Sequence, residues 1–206
     1  MHEYHEFLKS KARVDTATGL DQVPALNPML YPHQRDMVRW ALRRGRAALF
    51  ADCGIGKGPM QMEWADKQPH ECIISAPLAV AHQFVREGQK FGIDLAYAKD
   101  QAGVTKRITV TNYERLENFN LEQFGAVALD ESSILKNSSG AYSTWMVEAF
   151  KNTPFRLCSS ATPAPNDVME LGTQAEFLGV MTRGEMLAMY FTHDGGDTSK
   201  WRVKGH

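Results

Sequence analysis

Residues 51–58 run Ala-Asp-Cys-Gly-Ile-Gly-Lys-Gly. Just before them lies a short apolar run, Ala47–Ala51, with the look of a buried strand. Just after them, Met60–Asp66 has helical composition. A glycine-rich link from strand to helix is the setting a phosphate-cradling loop needs. Gly54 and Gly56, flanking Ile55, let the backbone turn its N–H groups toward an anion. A helix starting near Gly58 adds the positive end of its dipole. Lys57 supplies a point charge for β- and γ-phosphates. One position departs from the usual loop: Gly58 stands where a Ser or Thr hydroxyl ordinarily ligates Mg²⁺. Pro59, Met60 and Gln61 do not replace that hydroxyl. Phosphate binding through backbone and Lys57 is expected to survive, and metal-assisted hydrolysis to be weakened.

Outward from the loop, strands and helices alternate. His33–Arg44 is amphipathic and reads as a helix, with Pro32 before it. Cys72–Ala76 is a second buried strand stopped by Pro77, and Val80–Phe91 a helix with an apolar face. Leu95–Ala98, Ile108–Thr111, Val127–Leu129 and Arg156–Ser159 read as strands; Ala141–Phe150 and Val168–Leu178 read as helices. This alternation indicates βαβ units and a mainly parallel sheet, hence an α/β, three-layer architecture. Three regions are expected: an N-terminal helix or arm (1–28), the α/β lobe (29–185) and a C-terminal extension (186–206). The polar tail Gly195–His206 offers no clear element.

A second chemical feature is Leu129-Asp130-Glu131-Ser132-Ser133. The strand before it delivers two acids to the carboxyl edge of the sheet, where ligands bind in this architecture. Asp130 would hold Mg²⁺ through water, and Glu131 would orient or deprotonate an attacking water. The alternative is an acidic helix cap; the loop upstream favours the chemical reading. Cys158-Ser-Ser-Ala-Thr162-Pro163 reads locally as a Ser/Thr turn.

Composition excludes several classes. With 43% hydrophobic and 23% charged residues the chain is globular. A formal net charge of -1 argues against a strongly basic nucleic-acid module. Lys90, Lys99, Lys106, Arg107 and Arg115 read as solvated charges. Cys53, Cys72 and Cys158 are odd in number and form no CxxC pair, so neither a disulfide framework nor zinc is expected. The histidines read as packing or surface residues. No apolar stretch reaches membrane-spanning length and no signal sequence opens the chain, so a cytoplasmic location is expected.

Taken together these residues resemble superfamily 2 helicase-type ATPases, most of all the SNF2-like branch and its short phage forms. Leu30-Tyr-Pro-His-Gln34 resembles the family's adenine-reading segment, with Gln34 as the adenine contact. Ala51–Gly58 resembles motif I except at Gly58. Ala76-Pro-Leu78 is similar to motif Ia, and Thr111-Asn-Tyr-Glu114 to a segment lying along nucleic acid in relatives. Asp130–Ser133 resembles motif II as a DEAH variant, and Ser160-Ala-Thr162 motif III. The resemblance spans roughly residues 28–180 and implies a RecA-like lobe that binds ATP and Mg²⁺. It implies Gln34, Gly54, Ile55, Gly56, Lys57 and Gly58 as nucleotide contacts, Asp130 as metal holder, and Asp130 and Glu131 as catalytic acids.

The family pairs two such lobes, the second supplying arginine fingers, whereas this chain stops at His206. Two readings follow. One is the ATP-binding lobe of a SNF2-like helicase with little turnover alone, its partner a second lobe and nucleic acid. The other is a single-lobe pseudo-ATPase acting by protein binding, for example a phage inhibitor of a host defence complex of the anti-CRISPR kind.

Overall fold

The computed structural model describes residues 17–136, 140–194 and 197–204. Its frame is a six-stranded sheet made from short, largely buried strands: β1 (Arg46–Phe50), β2 (Cys72–Ala76), β3 (Leu95–Tyr97), β4 (Ile108–Asn112), β5 (Ala126–Asp130) and β6 (Phe155–Ser160). Every pairing in this sheet is parallel, and the spatial order is β1-β6-β5-β2-β4-β3. All residues of β2, β4 and β6 are buried. Strands covered on both faces have no solvent side, which is why they lack a regular apolar–polar alternation.

Successive side chains part to opposite faces. Ile74, Ala128 and Leu157 join one core, and their neighbours Ile73, Val127, Leu129 and Cys158 join the other. Helices α1 (Pro32–Arg44), α2 (Lys57–Asp66) and α3 (Leu78–Phe91) cover the first face with Leu42, Met60, Trp64 and Phe84. A 3₁₀ turn at Tyr113–Asn118, α4 (Ala141–Ala149) and α5 (Leu171–Leu178) cover the second with Leu116, Met146, Phe150 and Phe177. Three layers result, α/β/α, as the alternation of strands and helices indicates. Because all six strands run the same way, their C-terminal ends share one edge.

The elements expected from sequence are present, with informative differences. Helix α2 starts at Lys57, not Met60, because Gly56 turns the chain in the left-handed region (φ 85°) and lets the helix begin at once. Val168–Leu178 is two pieces: Asp167 caps a short 3₁₀ turn, accepting from Met169 N–H at 2.8 Å, before α5. Of the N-terminal stretch, residues 1–16 lie outside the described residues, and 17–28 form neither helix nor strand. They are pinned instead: Gly19 and Leu20 donate N–H groups to the last carbonyls of α1, and Asn27 bonds Glu63 and Phe91.

The tail corrects an expectation. After α6 (Arg183–Tyr190), strands β7 (Phe191–Asp194) and β8 (Asp197–Val203) form an antiparallel hairpin. The His193 and Trp201 rings pack at a tilt of 38° with centroids 3.8 Å apart, and Phe191 pairs with Val203. Cross-strand pairs of this kind stabilise a sheet through contacts a local reading of a polar tail does not reveal. Around the start of this hairpin Met186 and Phe191 are buried, whereas Met189 and Tyr190 are exposed. Among the described residues no helix is long and apolar enough to cross a membrane.

Candidate nucleotide-binding site

Residues 51–56 link the end of β1 to the start of α2 at the carboxyl edge of the sheet. Gly54 and Gly56 have φ of 81° and 85°, a region that L side chains avoid. A Cβ on Gly56 would stand 2.2 Å from Gln34 Nε2. Gln34 is buried against this loop; its Nε2 donates to Ile55 O at 2.8 Å and its Oε1 accepts from Tyr31 N–H at 2.9 Å. Both ends of the amide are thus engaged, tying α1 to the loop. Beside it a cleft of about 470 Å³ is lined by Tyr31, His33, Gln34, Ile55 and Phe91. Tyr31 is exposed and stacks nearly parallel on His33, with centroids 5.9 Å apart. Flat rings at a cleft edge suit a planar base.

Lys57 folds back over the loop, donating to Ala51 O at 2.9 Å and Asp52 O at 3.1 Å. With Gly54, Gly56, Gly58 and Asp130 it lines a second cleft of about 290 Å³. Gly58 carries no positive φ, and a Cβ there would meet Glu87 Oε2 at 3.4 Å, an ordinary contact. A Cβ at position 58 is therefore not excluded by space.

Asp130 arrives from the end of β5. Its Oδ1 accepts from Gln61 Nε2 at 2.7 Å, and its carbonyl accepts from the Tyr113 hydroxyl at 2.6 Å. Burial holds its carboxyl above the usual range; the Gln61 hydrogen bond opposes that rise, neighbouring Glu131 adds to it, and Lys57 opposes it. Glu131 has φ of 57°, the one non-glycine residue in the left-handed region among those described. Such a turn costs about 1–3 kcal/mol and is kept where surroundings hold it. Here two hydroxyls do so: Ser133 and Ser160 each donate to Glu131 Oε1 at 2.7 Å. Ser160 ends β6, which lies between β1 and β5, so the third motif reaches the second directly. The local reading of residues 158–163 as a plain Ser/Thr turn gives way at Ser160.

Magnesium fits this chemistry with one protein ligand fewer than usual. It is commonly held by one or two carboxylates, several waters and substrate phosphates. Asp130 is such a carboxylate, on the same cleft as Lys57 and Gly58. No cluster of three or more acidic, His or Cys side chains suited to a metal is present among the described residues.

The expected surface cations are partly spent on structure. Arg107 donates to the carbonyls of Ala65, Asp66 and Gln68 at the end of α2, and Lys106 pairs with Asp94 at 2.9 Å. Sequence reasoning missed Glu87 and the bonding of Gln61 and Tyr113 to Asp130. Gln61 had a visible signal, being a polar residue between Met60 and Met62. Tyr113 and Glu87 come close only through the sheet order and the packing of α3.

The fold is a RecA-like α/β lobe, matching superfamily 2 helicase cores. The chain is similar to a Sulfolobus solfataricus SWI2/SNF2 ATPase core solved with dsDNA (TM-score 0.65, 19% identity, covering 82% of this chain and 41% of that one). It is also similar to the UvsW helicase of bacteriophage T4 (TM-score 0.60, 14% identity, 85% and 65%) and to the Pyrococcus furiosus Hef helicase domain (TM-score 0.60, 14%, 77% and 38%). Among curated proteins, the mouse DNA annealing helicase and endonuclease ZRANB3 is 25% identical over 185 residues, and its Bos taurus counterpart 26% over 180. The chain spans 17% of the length of each of these two relatives. No protein-family model matches it.

Proposed function

We propose that this chain is the nucleotide-binding lobe of a SNF2-like superfamily 2 helicase, binding ATP at residues 54–58 and hydrolysing it poorly on its own. One observation carries the reading: a single edge of the sheet presents the Gly54–Gly56–Lys57 loop, Asp130 on the same cleft, and Glu131 pinned by Ser160. Backbone N–H groups of the loop would hold the phosphates. Lys57 would exchange its two carbonyl partners for phosphate oxygens, a favourable trade for an ammonium. Asp130 would hold Mg²⁺ through water; the ion's contribution is to neutralise charge on the transferring phosphoryl group. Glu131, held by two hydroxyls, would orient the attacking water. The base would lie in the cleft edged by Tyr31, with Gln34 fixing the loop beneath it.

Gly58 sets the limit on turnover. Without the hydroxyl the ion loses a protein ligand, and hydrolysis weakens while binding persists. That same position favours a second reading, a pseudo-ATPase that uses its lobe to bind another protein, as a phage-encoded helicase mimic would. An ATPase assay with Mg²⁺, on wild type and Gly58→Thr, tests both. We expect tight binding with barely measurable turnover in wild type and at least a tenfold rise in Gly58→Thr. Robust wild-type hydrolysis contradicts the impaired-turnover reading and the pseudo-enzyme reading with it. DNA contact, a cytoplasmic setting and the division at residues 28 and 185 belong to the same proposal. The dsDNA-bound likeness supports the first of these.

A further inference from the structure

Gln61 lies on α2 one turn after Gly58 and is fully buried. Residues three apart on a helix share a face. Its Nε2 reaches Asp130 Oδ1 at 2.7 Å, while its Oε1 has no hydrogen-bond partner. A buried amide with an orphaned oxygen is unfavourable. Met60, Met62, Trp64 and Ala65 of this helix are buried as apolar packing, and Glu63, its other buried polar residue, accepts from Asn27 N–H at 2.8 Å, so packing alone does not call for an amide at position 61. The bond to Asp130 is what the amide achieves there.

Asp130 is short of partners on that side. Gly58 offers no hydroxyl, and Lys57 Nζ is engaged with two carbonyls. We propose that Gln61 is a positioning residue for Asp130: it takes over holding the carboxylate from the hydroxyl that position 58 lacks, without replacing that hydroxyl as a metal ligand. One carboxylate oxygen is then fixed by the amide and the other is left for the water shell of a cation. This rests on reading the cleft as a Mg²⁺–nucleotide site.

The test is a double-mutant cycle between positions 61 and 58. Gln61→Met keeps the volume and removes the donor; Gly58→Thr restores a hydroxyl one turn earlier on the same face. Thermal unfolding is measured without ligand for the wild type, both single variants and the double variant. Nucleotide affinity is measured with a fluorescent ATP analogue, once in Mg²⁺ and once in EDTA.

Gln61→Met is expected to lower Tm by roughly 5 °C, as loss of a charged hydrogen bond should. In the Gly58→Thr background the loss should be less than half as large. The Kd of Gln61→Met should rise about tenfold in Mg²⁺ and stay unchanged in EDTA, which a purely structural glutamine would not produce. Equal Tm losses in both backgrounds, or equal weakening with and without Mg²⁺, overturn the inference. If Gln61→Met does not fold, Gln61→Asn, which keeps the amide but withdraws it from Asp130, carries the same cycle. Failure of the parent reading is distinguishable: no variant then binds nucleotide, yet the ligand-free Tm coupling remains.

Discussion

At the residue scale, three thiols and one carboxylate report on the site. Cys53 is exposed within the loop, whereas Cys72 and Cys158 are buried. Burial pushes the Cys158 thiol up to about 12 and raises Cys72 as well, so neither forms thiolate near neutrality. Native protein should therefore take up one equivalent of maleimide, at Cys53, and saturating ATP should slow that labelling several-fold. Mass spectrometry of timed aliquots checks both points. Asp130 gives a pH signature. Its folded pKa is raised, so the stability it contributes is fully present below the unfolded value and is lost as pH rises through the folded one. Asp130→Asn removes that loss, and its amide oxygen can still accept from Gln61. Its Tm should exceed the wild type's at pH 8, with the gain shrinking as pH falls toward the ordinary Asp range. A gain independent of pH would show that Asp130 is not the titrating group.

At the element scale, the turn into α2 makes two glycines unequal. Gly56 is left-handed and pressed against Gln34, so Gly56→Ala meets both strain and a clash. Gly58 is within the helix with room for a Cβ. Gly58→Ala should stabilise the fold by up to about 1 kcal/mol, and Gly56→Ala should destabilise it by at least as much. Chemical denaturation separates the two. Opposite signs are the expected result, and equal losses would contradict the loop geometry. Elements of this kind were largely legible in the sequence. Cys72–Ala76 reads as a strand because buried parallel strands are apolar throughout, and the loop because strand, glycines and lysine follow in order. The β7–β8 hairpin was not legible, since Asp197–Val203 is mostly polar and its stabilising pairs, His193 with Trp201 and Phe191 with Val203, form only when the two strands lie side by side. Gln34 was singled out in the sequence, but its bond to Ile55 O was not foreseen, because that depends on how closely α1 approaches the loop.

At the scale of the whole molecule, sheet order does the assembling. β6 lies between β1 and β5, so the Gly54–Gly58 loop and Asp130 flank the strand whose last residue, Ser160, holds Glu131. Sequence spacing placed these motifs in sequence order; only the parallel topology brings their ends to one edge. A ligand bound across that edge touches loop, β5 and the segment before α1 together, and so should stabilise the lobe as a unit. At one hundred times Kd the gain is about 2.7 kcal/mol. The central claim is that residues 54–58 cradle nucleotide phosphate, and titration of wild type and Lys57→Ala with a fluorescent ATP analogue tests it most directly. Saturable wild-type binding, weakened at least tenfold by Lys57→Ala at unchanged fold, is the predicted result. No saturable binding by the wild type, or equal binding by Lys57→Ala, would contradict it.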